Sequence, residues 1–175
     1  VQADAQVISD GSADNRTGNG GWCSIIRTSA SVTELTGWAD NTTSNRMEII
    51  AAIEGLKNIH KPSRVTLIAD SAYLLETIKQ KKWNRWFKEQ EEWAALDRVY
   101  KRPNMDLWFQ MAGLTTFHTV TCIKVKGHSG DYWNNRADKL ASFARKNQTE
   151  LNSVLPNLEE EEWLYPFTTI LNIAP

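Results

Sequence analysis

Four carboxylates and one histidine in this chain are of types and spacings that could do chemistry together. Asp10 closes the apolar run AQVISD and Asp70 closes RVTLIAD, so each sits where a β-like segment ends. In the parallel part of an α/β sheet, ligands collect beyond the carboxyl ends of the strands, which would make the two aspartates neighbours despite 60 residues of separation. Glu48 lies in the first turns of a helix-like stretch, and its own face bears Ala51, Ala52 and Gly55 at spacings of three, four and seven residues. Small residues there let that face approach a sheet and carry the glutamate inward. Asp138 reads as a first-turn residue of a later helix, beside the apolar positions Ala137 and Ala141. Carboxylates gathered in one place repel each other unless cations neutralise them. An all-oxygen donor set suits Mg²⁺ or Mn²⁺ rather than zinc. Each acid also has a plainer reading, because an aspartate after a strand commonly closes a turn and one in a first helical turn complements the helix dipole. His128, between Gly127 and Gly130, is either a turn histidine with satisfied hydrogen bonds or a member of one reacting centre with Asp138.

The elements that must position these groups alternate along the chain. AQVISDGS, GGWCSIIRTS and VTELTGWAD are β-like runs linked by polar and small residues, which predicts an antiparallel opening. TTSNRMEIIAAIEGLKNI then changes to a 3.6-residue period, with Ile49, Ala52, Ile53, Leu56 and Ile59 in one stripe and Thr43 or Ser44 available as N-cap. RVTLIAD predicts a strand. A helix bearing Leu74, Leu75 and Ile78 follows and is expected to continue into a basic segment. DLWFQMAGLTTF repeats apolar residues at Leu107, Met111 and Leu114, TVTCIKVK reads as the last strand, and Ala137, Leu140, Ala141 and Ala144 give the final helix its apolar face. This order of elements indicates an α/β domain with a mixed sheet.

The 175 residues suffice for one domain with a sizeable core and are few for two. No run approaches the ~20 apolar residues of a membrane span, and no secretory signal peptide is recognisable, so a cytoplasmic or otherwise intracellular protein without membrane contact is expected. Cys23 and Cys122 each fall inside a β-like run and read as buried free thiols. The formal net charge of −1 conceals an uneven distribution. Residues 79–102 hold eight lysines and arginines against four acidic residues, a net +4, whereas residues 147–175 hold five glutamates and no lysine or arginine.

In chain order, SDGS (9–12), GNGGW (18–22), TTSNRMEIIAAIEGL (42–56), ADSAYL (69–74), NMDLW (104–108) and VKGHSGDYWNNRADKLA (125–141) resemble the ribonuclease H family, most closely its bacterial type 1 members. One such motif is weak evidence, but six in order are specific, and the resemblance covers residues 5 to 146 approximately. It implies an α/β ribonuclease H-like fold, a five-stranded mixed β-sheet flanked by α-helices, over a catalytic domain of residues 1–146, with an acidic then apolar tail over 147–175. The implied activity is hydrolysis of the RNA strand of RNA/DNA hybrids, leaving 3′-hydroxyl and 5′-phosphate ends. Asp10, Glu48, Asp70 and Asp138 are then the catalytic carboxylates, holding two Mg²⁺ ions, with Mn²⁺ a possible substitute. Asp10 would bridge both ions, Glu48 and Asp70 would take the nucleophile side, and Asp138 would take the other ion. His128 would assist proton transfer or product release from a mobile loop, without binding metal.

The same resemblance assigns substrate contacts. Thr43 would hold a DNA phosphate, Asn45 would reach the minor groove and Arg46 would support the site, although Thr43 and Asn45 are equally suited to capping and filling a first helical turn. The segment KQKKWNRWFKEQEEW resembles the family's protruding basic handle, in which Lys81, Lys82 and Arg85 would meet phosphate and Trp83 and Trp86 are candidates for packing on DNA sugar. Tryptophans at helical spacing are also common core residues. Glu89, Glu91 and Glu92 interrupt the handle, Ser44 and Ala72 stand where larger amides are usual in the bacterial type, and Asn135 replaces an acidic residue often found there. A monomer acting on the hybrid is expected. The tail could pack on the domain, occupy a protein partner's groove, or compete with nucleic acid for the handle. Two other readings stay open: a noncatalytic nucleic-acid-binding module on the same fold, and a ribonuclease H domain from a reverse-transcriptase polyprotein, the latter prompted by a chain that starts at Val1.

Overall fold

The computed structural model describes residues 3–126, 131–150 and 152–156. The expectations placed on Gly127, His128, Gly130 and residues 157–175 lie outside the described residues. The described elements, in order, are β1 (Ala5–Ala13), β2 (Gly20–Arg27), β3 (Ser31–Ala39), α1 (Ser44–Lys57), β4 (Arg64–Ala69), α2 (Ala72–Gln80), α3 (Trp83–Ala95), α4 (Met105–Phe117), β5 (Thr119–Lys124), α5 (Tyr132–Asn147) and β6 (Asn152–Pro156). Their sheet has the order β5-β4-β1-β2-β3-β6. The β1-β2-β3 pairings are antiparallel, and β4 and β5 add in parallel beside β1, so the anticipated five-stranded mixed sheet is present. A sixth strand was not anticipated. β6 lies antiparallel on the outer edge of β3, from Leu35↔Asn152 to Ser31↔Pro156, and the Asn152 side chain continues the pairing by accepting from the Thr36 amide at 3.3 Å. No helix among the described residues is long and apolar enough to cross a membrane.

Two cores sandwich the sheet. On one face, Val7, Val65 and Leu67 pack against residues of α1, α2, α3 and α4; on the other, Ile8, Ile25 and Ile68 pack against Trp133, Ala137 and Ala141 of α5. The alternation of side chains along each strand divides neighbouring residues between the two cores. Burying the predicted stripe of α1 fixes that helix against the sheet, with Ile49, Ala52, Ile53 and Leu56 each no more than 2% exposed. Ala51 and Gly55 are buried as well, in keeping with the close approach their size permits. Cys23 and Cys122 are buried free thiols.

Two boundaries differ from the sequence expectation. The helix after β4 does not run on into the basic segment: Lys81 adopts a left-handed conformation (φ 47°), and the Lys82 amide bonds back to the Thr77 carbonyl at 3.2 Å, which ends α2 before α3 begins. Asp138 is not in a first turn, because Asp131 caps α5 by accepting from the Asn134 amide at 3.1 Å, so the helix starts at Tyr132.

The tightest approach in the α1 face is at Gly11. A Cβ there would lie 2.4 Å from the Glu48 nitrogen and 2.4 Å from the Met47 carbonyl carbon, both backbone atoms of α1. Gly11→Ala must therefore push α1 away from β1, and we expect a loss of about 1–3 kcal/mol in stability. A denaturant midpoint unchanged from wild type would contradict this.

Candidate active site

The pairing of β1 with β4 sets two of the acids side by side. The last parallel pair is Ile8↔Ile68, and Asp10 and Asp70 each lie two residues further along. With a side-chain period of two, both project to the face of Ile8 and Ile68, toward α5. Although β1 itself continues to Ala13 rather than stopping at Asp10, β4 ends at Ala69, so a crevice opens beside Asp10 where its parallel neighbour has turned away. Glu48 enters from the opposite layer, its backbone lying over Gly11 at the start of α1. Carboxylate oxygens of Asp10, Glu48 and Asp70 all lie within 4.8 Å of one another. Asp138, on the face of α5 shared by Ala137 and Ala141, reaches hydrogen-bond contact with Asp10. Two carboxyls make that bond only if one holds a proton.

The electrostatics follow from this crowding. Burial is the largest influence on Asp10, followed by the charge of Asp70 and the contact with Asp138, and together they push its pKa from 3.8 up to about 8. Glu48 is raised from 4.5 to about 7, again chiefly by burial, with Asp70 adding to the rise and a hydrogen bond from Ser71 opposing it. A site that takes up protons at neutral pH in the absence of cations is one in which oxygen donors outnumber the positive charge available to them. Three to four oxygen donors of this kind fit hard divalent cations, and their chemistry excludes a thiolate or imidazole site.

Ser71 is a member of the site that sequence reasoning passes over. Its hydroxyl caps α2 by accepting from the Leu74 amide at 3.1 Å and also donates to Glu48. One side chain thus anchors the end of β4 to the acid carried by α1. The only signal in the sequence is its place between Asp70 and a helical run, which reads simply as a cap.

The other predicted residues divide into three groups. Thr43 is the N-cap of α1, accepting from the Arg46 amide at 3.2 Å, and it and Asn45 are exposed beside the acidic cluster's helix start. Arg46 turns to α4: Nη1 donates to Asn104 Oδ1 at 3.2 Å, and Nη1 and Nη2 form a fork on Asp106 at 3.1 and 2.7 Å. Such a planar two-point pair fixes the start of α4 to the start of α1. Lys81, Lys82 and Arg85 are exposed around a groove of about 600 Å³, whose lining also includes Trp86 and Arg102.

Trp83 and Trp86 require a correction, since their rings are only 2% and 5% exposed and cannot both lie on a DNA sugar. They occupy successive inward positions of α3 and pack on Trp108 of α4, with ring centres 6.2 and 6.1 Å away, while the Arg102 guanidinium covers the Trp86 ring at 4.3 Å. The burial of a large aromatic surface outweighs the charged surroundings in setting their direction. Trp93, at 41% exposure, is the accessible indole of this helix.

The raised acids give a pH signature to the metal-free protein. Between about pH 4 and 8 the folded state binds more protons at Asp10 than the unfolded state, so this group lowers stability progressively as pH rises through that window. Asp10→Asn removes the ionisation, and its melting temperature in chelator should exceed the wild-type value by several degrees at pH 8, at about 2–4 °C per kcal/mol for a chain of this size. The difference should shrink toward pH 4 and on adding Mg²⁺; a difference independent of pH would disprove the shift.

Comparison with known proteins was made against this geometry. The family profile described as RNase H matches residues 2–146. The chain is 41% identical over 145 residues to a ribonuclease H of Chlorobaculum parvum, covering 82% of this chain and 96% of that protein. It is 35% identical over 147 residues to a ribonuclease H of a Thermoanaerobacter species, covering 84% and 93% respectively. Among solved structures, LC9-RNase H1, described as a type 1 RNase H with the type 2 active-site motif, is similar in fold with a TM-score of 0.67 at 23% identity, over 100% of this chain and 87% of that one.

Proposed function

Because the chain belongs to the ribonuclease H family, we propose that it hydrolyses the RNA strand of RNA/DNA hybrids, with Asp10, Glu48, Asp70 and Asp138 as the catalytic carboxylates. The observation that carries the reading is the gathering of Asp10, Glu48 and Asp70 oxygens within 4.8 Å, with Asp138 in contact with Asp10. Asp10, touched from both sides, is placed to hold two Mg²⁺ ions in common, Glu48 and Asp70 to complete one position, and Asp138 to complete the other; Mn²⁺ has the same donor preference. When bound, such ions activate a water and neutralise the charge developing on the phosphate and on the leaving 3′-oxygen, which would leave 5′-phosphate and 3′-hydroxyl ends.

The chain's own groups supply the rest. Ser71 holds the Glu48 carboxylate in one rotamer, and the Arg46–Asp106 fork holds the helix start from which Thr43 and Asn45 project. Those two exposed side chains would meet the DNA phosphate and the minor groove, where duplex shape and 2′-hydroxyls distinguish a hybrid from other duplexes. Lys81, Lys82 and Arg85 would add salt-dependent phosphate contacts. Every acid of the cluster comes from one chain, which supports a monomeric catalytic unit, taken here as residues 1–146, with 147–175 as a tail. His128 would carry a proton to or from the reacting oxygens without binding metal.

The test compares an RNA/DNA hybrid, duplex RNA and duplex DNA in Mg²⁺, using wild type and Asp70→Asn. We expect cleavage of the hybrid's RNA strand alone, and a loss of at least about a hundredfold in kcat for the variant. Equal activity of the two proteins would refute the site, and no cleavage by wild type would leave a binding module. Asp138→Asn should also weaken Mg²⁺ binding measured by calorimetry, whereas His128→Ala should slow turnover with Mg²⁺ binding retained; equal loss of Mg²⁺ binding would overturn that division.

A further inference from the structure

Beside the basic groove lies an apolar patch that the chain's folded elements leave uncovered. Arg102, on the groove, donates through Nε to the Tyr100 hydroxyl at 3.1 Å, and the Tyr100 ring meets Trp93 edge-on at 5.6 Å. From Trp93 the surface continues to Leu96 and Val99, which are 67% and 74% exposed. Phe109, 72% exposed, stands against Phe87 at 5.9 Å on the neighbouring helix. Apolar side chains this exposed and this close together mark a contact surface rather than ordinary surface scatter. On the groove side, the ammonium groups of Lys81 and Lys82 have no ion-pair partner among the described residues, while Arg85 pairs only with Glu89, at 3.1 Å.

The chain beyond β6 has the complementary layout. Residues 157–175 open with Glu159–Glu162, contain no lysine or arginine, and continue with Trp163, Leu164, Tyr165 and Phe167. An acidic block followed by an apolar block matches a basic groove followed by an apolar patch, in charge and in order. Reach is sufficient, since 19 residues leaving β6 at Pro156 extend up to about 60 Å, against roughly 40 Å across a domain of about 150 residues.

We propose that residues 157–175 fold back onto this face of their own chain, with Glu159–Glu162 in the groove of Lys81, Lys82, Arg85 and Arg102 and the following aromatic residues on Trp93, Leu96 and Val99. The segment then competes with nucleic acid for the handle, so hybrid binding is restrained at low ionic strength and released as salt screens the acidic block. The competition rests on the function proposed above; the contact itself does not.

Both parts are tested in the full chain by replacing the acidic block, Glu159→Gln, Glu160→Gln, Glu161→Gln and Glu162→Gln together. For an RNA/DNA hybrid at low salt, KM should fall about three- to tenfold with kcat unchanged, as expected when a tethered competitor at millimolar effective concentration is removed, and the difference should vanish at high salt. Equal KM values at low salt would overturn the competition. Amide chemical shifts of wild type and variant, recorded without substrate, should differ at Lys81, Lys82, Arg85, Leu96 and Val99. Differences confined to the tail would overturn the contact, and differences that grow with protein concentration would assign it to a second copy and overturn the intramolecular arrangement. If no hybrid is cleaved at all, the proposed function fails while the amide shifts still judge the contact.

Discussion

Mutual repulsion among buried carboxylates is the constraint that this structure is organised to withstand. Asp10, Glu48 and Asp70 come from two strands and a helix, and left to themselves their charges would drive those elements apart. What holds them is apolar packing on both faces of the sheet: α1 seated on β1 without space for a Cβ at Gly11, and α5 seated through Ala137 and Ala141 on the opposite side. Small residues recur at these contacts because an acid can be brought within range of another acid only where the backbones beneath them are close. The site's repulsion and the core's cohesion are therefore parts of one balance, and cations relieve the unfavourable side of it.

Much of this was legible in the residues. Glu48 could be placed because a 3.6-residue stripe orients its helix, and Asp10 and Asp70 because each closes a run that alternation and composition mark as a strand. What could not be read was decided by tertiary context. The position of Asp138 within α5 depends on which residue caps the helix, and Asp131 outcompetes later polar residues through its bond to the Asn134 amide. The division between α2 and α3 depends on a lysine in a left-handed conformation, for which no glycine gave notice. β6 is five residues long with no period to reveal it, and its existence rests on a free edge of β3 contributed by distant sequence. The double use of the Ser71 hydroxyl is visible only once α1 is set against β4.

The basic segment illustrates how composition and orientation separate. Its lysines and arginines face solvent as net charge suggests, yet its first two tryptophans turn inward and, with Tyr73, surround Trp108. The handle is thereby fastened to α4 by aromatic packing, and α4 to α1 by the Arg46–Asp106 fork. A surface meant for a charged ligand is thus mechanically continuous with the helix that carries Glu48, through contacts that are themselves insensitive to salt or only partly exposed to it.

The outermost strand has a consequence for how the protein comes into being. β3 and β6 are separated by more than a hundred residues, so on the ribosome β3 is completed long before the segment that covers its outer edge exists. During that interval its backbone amides and carbonyls present an open template of the kind on which foreign strands assemble. Placing the covering strand after the last helix makes edge closure a late step of biosynthesis, and makes the nascent chain, more than the finished one, the form that depends on protection from unwanted pairing.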